Sequence, residues 1–464
     1  MPTIKTRFAP SPTGLLHFGN VRTALFNALL AKKESGTFLL RIEDTDLERS
    51  SAEFSLRIEH DLDWLGINWQ EGGSGGGPHA PYYQSQRVET YQRYLDELEG
   101  QGRVYPCFCT AVELEVSRKI QAASGKPPRY SGKCAHLSPA EVEAKRAQGL
   151  SFTTRFRMPK SQPLDFDDLV RGPQHFSSDD IGDFIVRRSD GNFAFFFVNA
   201  IDDALMEITH VLRGEDHLTN TPRQIALLRA LGLAEPQYGH ISLIVNQAGA
   251  PLSKRSGSLA IEELERLGYF PLAINNYLAR LGHHYADNRL LDMPSLAEQF
   301  SLEHLGRAPA RYDRAQLDHW QTLAVQQADE TSLLAWLAPA LADLVPADQR
   351  AAFAAAVRAN IVFPSDAQQW AQAIYTDPLP VSEDARKVLD ATGAGFFDAA
   401  LKVYDDSMDF KALATAVKSA TGASGKNLFL PLRAALTGQV HGPEMPAVYA
   451  LLGARARHRL EAWA

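Results

Sequence analysis

Separate groups of side chains in this sequence are of types that do chemistry. One is His17-Phe18-Gly19-Asn20, which follows the Pro- and Gly-broken loop at 10–14. An imidazole can donate to a phosphate oxygen, and a glycine lets a flat purine lie against the backbone. Another is Leu252-Ser253-Lys254-Arg255, inside a basic loop. Its ammonium can neutralise the charge that builds when a phosphate is attacked. The last is Cys107-x-Cys109 with Cys134-x-His136. Thiols and an imidazole on two short loops can close a tetrahedral Zn2+ site, and four protein ligands would make such a zinc structural. The other reading is reduced, buried thiols beside an unrelated histidine. These are all 3 cysteines of the chain, an odd number, so no disulfide framework is expected.

The elements around the first group predict a nucleotide-binding α/β fold. An apolar run at 4–9 reads as a strand, and 21–30 as a helix with Asn20 as N-cap and Gly36 as its stop. A second strand at 37–42 leads into Glu43-Asp44-Thr45-Asp46. Strand, loop, helix, strand puts a ligand at the strand ends, where the helix N-terminus attracts phosphate. Residues 52–65 and 82–99 read as helices, and the glycine run at 71–78 as a plain surface loop. No Gly-Lys-Ser/Thr follows that run, so the context of a phosphate-binding loop is missing.

Short β-like runs at 152–158, 164–171, 184–188 and 193–197 mark an α+β insertion, with Asp190-Gly191 as a hairpin turn. The nucleotide-fold texture returns at 201–217, in a helix at 221–231 and in a strand at 238–245. From 261 onward the pattern is helical, with Ala-rich segments at 323–345, 350–359, 366–375, 382–391 and 396–403.

A chain of 464 residues suggests about three domains. Hydrophobic residues make up 45% and charged residues 22%, as in soluble globular proteins. The net charge of −8 does not advertise a nucleic-acid partner, though a local basic stripe is compatible with one. There is no signal-like opening and no long apolar run, so a soluble cytoplasmic protein, with no membrane partner, is expected.

Taken together, His17-Phe18-Gly19-Asn20 and Leu252-Ser253-Lys254-Arg255 resemble the two signatures of the class I aminoacyl-tRNA synthetases. Arg7-Phe8-Ala9-Pro10-Ser11-Pro12-Thr13-Gly14, Arg41-Ile42-Glu43-Asp44-Thr45-Asp46 and Arg213-Gly214-Glu215-Asp216-His217 look like the bacterial glutamyl-tRNA synthetases, as does 431–438. The resemblance implies an α/β fold: a Rossmann-like catalytic domain with an α+β insertion, then an all-α anticodon-binding region. The implied division is 1–104 and 191–250 for the catalytic halves, 105–190 for an acceptor-stem insertion with the zinc site, 251–322 for the lysine loop and stem contact, and 323–464 for the anticodon region.

The implied reaction joins glutamate to AMP and then to the 3′ end of tRNA-Glu, with tRNA-Gln as a further candidate. In it, His17, Gly19, Asn20 and Lys254 would be catalytic, and Asp216 and His217 would join His17, Gly19 and Lys254 on ATP. Arg7, Arg213, Glu43, Ser11 and Asn199 would hold glutamate. An arginine fork suits the side-chain carboxylate, and a carboxylate suits the ammonium. Arg7 pairing with Glu43 for purely structural reasons is the competing reading. Mg2+ would accompany ATP, and the family is mostly monomeric.

Some positions depart from the family pattern. Phe195 stands where a tyrosine is usual, and Pro251 where the lysine signature often begins with a basic residue. Asn360 falls where strict tRNA-Glu enzymes are thought to carry an arginine, with Arg358 close by, which suggests relaxed tRNA choice. Lys126, Arg129 and Lys133 read either as solvated surface or as acceptor-stem phosphate contacts. A glutaminyl-tRNA synthetase is disfavoured because the tail looks helical instead of β-barrel.

Overall fold

Strand β1 (Lys5–Phe8) is buried at every position, and it pairs in parallel with β2 (Thr37–Leu40) in the register Arg7 to Leu39. Between them runs α1 (Phe18–Lys33), which buries residues on all its faces, from Phe18 and Val21 to Leu30 and Ala31. An apolar helix of that kind belongs inside a core, here against the sheet. The computed structural model describes residues 3–46, 50–125, 128–252 and 260–464. Lys254 with its neighbours Ser253 and Arg255, and Lys126, lie outside the described residues.

The expected N-cap is corrected. The helix starts at Phe18 with His17 in the cap position, so Asn20 lies inside the first turn. Gly36 does not stop the helix by adopting a left-handed conformation; Ser35 does that, at φ 51°. Gly36 is required for another reason: a Cβ there would overlap the carbonyl of Ile4 where the chain turns into β2.

Helix α2 (Ala52–Trp64) follows, capped by Ser51, whose side chain accepts from Phe54 N–H. The glycine run is not a plain loop. Its first residues form β3 (Glu71–Gly72), a third parallel strand beside β2. Buried Glu71 is held there by Lys5 at 2.5 Å and by Tyr82 at 2.8 Å. Then comes α3 (Val88–Gly100).

The insertion comprises β4 (Val104–Cys107), α4 (Ala111–Ala123), α5 (Pro139–Ala147), β5 (Thr153–Phe156), the hairpin β6 (Phe166–Asp168) and β7 (Gly172–Gln174), the turn α6 (Ser178–Ile181) and β8 (Phe184–Arg187). Strands β4, β5 and β8 make an antiparallel sheet. Thr110 and Ser138 each close a capping box at the start of α4 and α5.

The run 193–197, expected as a strand, instead opens α7 (Phe195–Leu205). Phe193 makes one bridge to Arg187 across the Asp190-Gly191 turn, and the chain then coils, so 201–203 are helical too. Five aromatic or apolar residues in a row carry no periodicity, and burial decided the outcome. Strand β9 (His210–Gly214) lies alongside β1, where Thr209 N–H donates to the Lys5 carbonyl at 2.9 Å. Helix α8 (Thr221–Ala230) leads to β10 (Gln237–Ile241), parallel to β9. The short β11 (Ile244–Val245) pairs with β12 (Ala310–Arg311).

The chain divides into two compact units, residues 1–263 with 274–314, and residues 264–273 with 315–464. The second unit is helical among its described residues, including Glu330–Leu341, Pro364–Tyr375 and Lys426–Thr437. Phe353, Leu413, Leu432 and Leu460 belong to one hydrophobic core there. Buried Arg459 fastens that unit by donating to the carbonyls of Leu436 at 2.6 Å and Ile374 at 3.1 Å. No helix among the described residues is long and apolar enough to cross a membrane.

Candidate active site

The carboxyl ends of β1 and β9 and the N-terminus of α1 surround one cleft of about 400 Å³. It gathers Arg7, Ser11, His17, Gly19, Asn20, Glu43, Asn199, Arg213, Asp216 and His217, all of which the sequence nominates. Lys254 lies outside the described residues. Phe195 also lines the cleft, its ring centroid 5.4 Å from that of His217.

His17 sits at the cap with extended backbone, and its carbonyl accepts from Val21 N–H at 3.0 Å. The first turn of α1 carries no acidic side chain, so its free N–H groups and dipole favour an anion. Gly19 gives room to the histidine itself. A Cβ at Gly19 would stand 3.3 Å from His17 Cε1 and 3.4 Å from Nδ1.

The charged floor of the cleft is a buried network. Arg7 pairs with Asp203, not with Glu43. Arg41, with no exposed surface, bridges Asp203 at 2.8 Å and Glu43 at 3.1 Å. Asn199 donates to Glu43 Oε1 at 2.6 Å, and its own Oδ1 accepts from Gln224 at 2.7 Å. Burial alone would raise the Asp203 carboxyl pKa, but Arg7 and Arg41 reverse that and hold it low. At Glu43 burial wins over Arg41, and the pKa is raised.

Arg213 is buried on β9 and lies against Tyr238, with Cζ 5.1 Å from the ring centroid. Burial lowers its pKa to about 10, which leaves it cationic at neutral pH. The groups it bonds are neutral: Nε faces His240 Nε2 at 3.2 Å, and Nη2 donates to Thr221 at 2.7 Å. Its Nη1 is buried without a hydrogen-bond partner. Asp216 is exposed and His217 half-buried. Burial and then Arg213 push the His217 imidazole down to about 4, so it is neutral at physiological pH.

Sequence reasoning missed Asp203, Gln224, Asp168 and His240. Asp203 was legible only as one of an acidic pair, and the other three lie outside any short motif.

In the insertion, the Sγ atoms of Cys107, Cys109 and Cys134 all lie within 4.8 Å of one another. His136 is exposed and stands outside that group. The side chain that approaches the thiols is Tyr130: its Oη is 3.3 Å from Cys107 Sγ, 3.6 Å from Cys109 Sγ and 2.9 Å from Cys134 N. Lys133 pairs with Glu113 at 2.8 Å on the surface, and Arg129 is exposed. In the second unit, Arg358 is half-buried and Asn360 exposed, within the turn after helix Arg350–Val357.

Comparison with known proteins gives the family. Residues 3–319 match the family model described as tRNA synthetases class I (E and Q), catalytic domain. Residues 332–464 match the anticodon binding domain model. A glutamate–tRNA ligase 2 of Alkalilimnicola ehrlichii is 57% identical, with 99% of this chain and 97% of the relative covered. One of Nitrosococcus oceani is 56% identical, over 99% of this chain and 98% of the relative. A crystal structure of a glutamate tRNA ligase from Elizabethkingia meningosepticum, in complex with its amino acid, superimposes with a TM-score of 0.89 at 29% identity, each chain covered to 99%. The fold is thus shared with that structure along the whole chain, and the chain belongs to the glutamate–tRNA ligase family of class I aminoacyl-tRNA synthetases.

Proposed function

We propose that this cleft activates glutamate with ATP and passes it to the 3′ end of a tRNA. The observation that carries the reading is the convergence of the α1 N-terminus with Arg7, Arg213 and Glu43 in one cleft. In the first step an oxygen of the glutamate α-carboxylate attacks the α-phosphorus of ATP. The bond to the bridging oxygen breaks and pyrophosphate leaves. In the second step the tRNA's terminal hydroxyl attacks the acyl carbon of the adenylate, and AMP leaves. The substrate is its own nucleophile, so the protein's work is positioning and charge stabilisation.

His17, Gly19 and Asn20 offer the first turn of α1 to the phosphates, and neutral His217 with Asp216 takes the nucleotide. Lys254 supplies a further cation in this reading. Arg213, whose bonded neighbours are neutral, takes the side-chain carboxylate together with Arg7, while Glu43 and Asn199 with Ser11 orient the amino end. Mg2+ bound to the phosphates of ATP supplies charge neutralisation.

Three thiols in one pocket fit a structural Zn2+, which would be held by Cys107, Cys109 and Cys134 with Tyr130 as the fourth donor in place of His136. Residues 105–190 would meet the acceptor stem and 323–464 the anticodon, in a cytoplasmic monomer. The acceptor is tRNA-Glu, tRNA-Gln or both, and the exposed Asn360 keeps tRNA-Gln in view.

Glutamate-dependent ATP–pyrophosphate exchange, run with and without each purified tRNA, tests the activity. Its absence with both tRNAs would indicate a silent tRNA-binding paralogue. Charging assays on the two tRNAs decide the acceptor, and activity confined to tRNA-Glu removes the wider reading.

A further inference from the structure

The carboxylate of Asp168 is buried at the end of β6, in the insertion. Its Oδ1 accepts from the N–H groups of Val170 at 2.9 Å and Arg171 at 2.8 Å, and its Oδ2 meets His240 Nδ1 at 2.5 Å. An ionised carboxylate only accepts, so Nδ1 of His240 carries the proton. The other ring nitrogen faces the Arg213 Nε–H at 3.2 Å and the Thr221 hydroxyl, which can donate or accept, at 3.0 Å. A second ring proton there would set two donors against each other, so Nε2 presents its lone pair. Burial and the neighbouring Arg213 also hold the imidazole below its usual pKa, although Asp168 pulls the other way.

We infer that Asp168 and His240 are positioning residues of the amino-acid pocket: Asp168 fixes the His240 tautomer, and the neutral imidazole aims the Arg213 guanidinium at the substrate's side-chain carboxylate. The inference rests on the reading of Arg213 given above. Arg213 is held at Nε by His240 and at Nη2 by Thr221, and its buried Nη1 is left without a partner beside the cleft. A carboxylate in place of His240 would hold Arg213 as firmly but would cancel its charge. An imidazole leaves that charge for an anionic ligand, so the pair also sets the preference for glutamate over glutamine.

The test is exchange kinetics on the full-length enzyme. Asp168→Asn lets the His240 proton move to Nε2, against Arg213. The glutamate KM is expected to rise about 10- to 100-fold, with the ATP KM unchanged. His240→Gln has no tautomers and can present a carbonyl to Arg213, so adding Asp168→Asn to it should change the glutamate KM less than about threefold. An Asp168 that served only folding would cost the same in both backgrounds, and that result overturns the inference. An equal change in glutamate and ATP KM overturns it too. If Asp168→Asn does not fold, His240→Asn replaces it. That variant keeps a donor toward Asp168, loses the acceptor for Arg213, and should show the same selective KM rise; an unchanged KM refutes the aiming role. Arg213→Lys separates the two layers. If it leaves the glutamate KM unaltered, the reading of Arg213 itself fails. If it raises that KM while the Asp168 and His240 variants do not, only this inference fails.

Discussion

Arg7 and Asp203 form a two-point pair, Nε to Oδ1 at 3.1 Å and Nη2 to Oδ2 at 3.3 Å, with both side chains buried. The cleft-lining arginine of β1 is therefore held by a residue of α7, while the nearby Glu43 is held by Arg41 and Asn199.

Replacing Asp203 by alanine leaves Arg7 and Arg41 without their shared partner in a region closed to water. Breaking a buried pair from one side costs about 3–5 kcal/mol. Urea denaturation of Asp203→Ala should show a loss of that size, and a loss near zero would mean that water or Glu43 replaces Asp203 at the arginines.

Gly19→Ala should divide stability from activity. Alanine suits a helix better than glycine by about 1 kcal/mol, so the melting temperature should hold or rise. The added Cβ, 3.3 Å from His17 Cε1, pushes the imidazole from its place over the first turn. A fall in kcat of tenfold or more is expected, on the order of 1.4 kcal/mol in the barrier. An unchanged kcat would remove His17 from the chemistry.

Phe195→Tyr adds a hydroxyl in the cleft, beside His217. One net hydrogen bond is worth about 1 kcal/mol, so the glutamate KM should fall by about fivefold. A rise would indicate that the added oxygen is left unpaired against the neighbouring rings.

Acid should destabilise the first unit in a defined window. His283 is buried among Phe26, Tyr285 and Phe300, and burial followed by His304 lowers its pKa from 6.5 to about 4. Because the folded pKa is depressed, the unfolded chain takes up the proton first. Stability is complete above the unfolded value and declines between pH 6.5 and about 4, by up to about 3 kcal/mol. Asp203, also depressed, adds its loss only in stronger acid, below the ordinary carboxylate range. Denaturation midpoints at stepped pH values measure the window, and His283→Phe should shrink it, leaving the share of His217, which burial also pushes down to about 4.

Metal analysis of protein purified without added zinc should give about one equivalent. Tyr130→Phe should lower the occupancy and His136→Ala should not. The opposite pattern would return the fourth position to His136.

The parts of the site that were legible in sequence are those that short motifs carry on one element each: His17 and Gly19 at the start of α1, Glu43 after β2, Arg213 on β9. The positioning partners were not legible. Asp203, Gln224, Asp168 and His240 meet those residues only across the fold, and a polar residue inside a helix or strand carries no local mark of what it bonds. Local errors had local causes. The aromatic run at 193–197 has neither helical nor strand periodicity, and Glu71–Gly72 hid as a strand inside a glycine run, because the pairing that makes it one comes from β2.

The floor network also bears on how the chain folds. Arg7 and Asp203 are 196 positions apart, so this contact closes a very long loop. Ordering by non-local contacts is slow, and loop-closure entropy must be met before the contact contributes. During synthesis β1 and β2 emerge before Asp203, so Arg7 lacks its acidic partner and Arg41 has only Glu43 until α7 follows. The N-terminal half of the nucleotide fold therefore cannot be completed early, and the whole insertion must be made before the catalytic sheet closes its charge network.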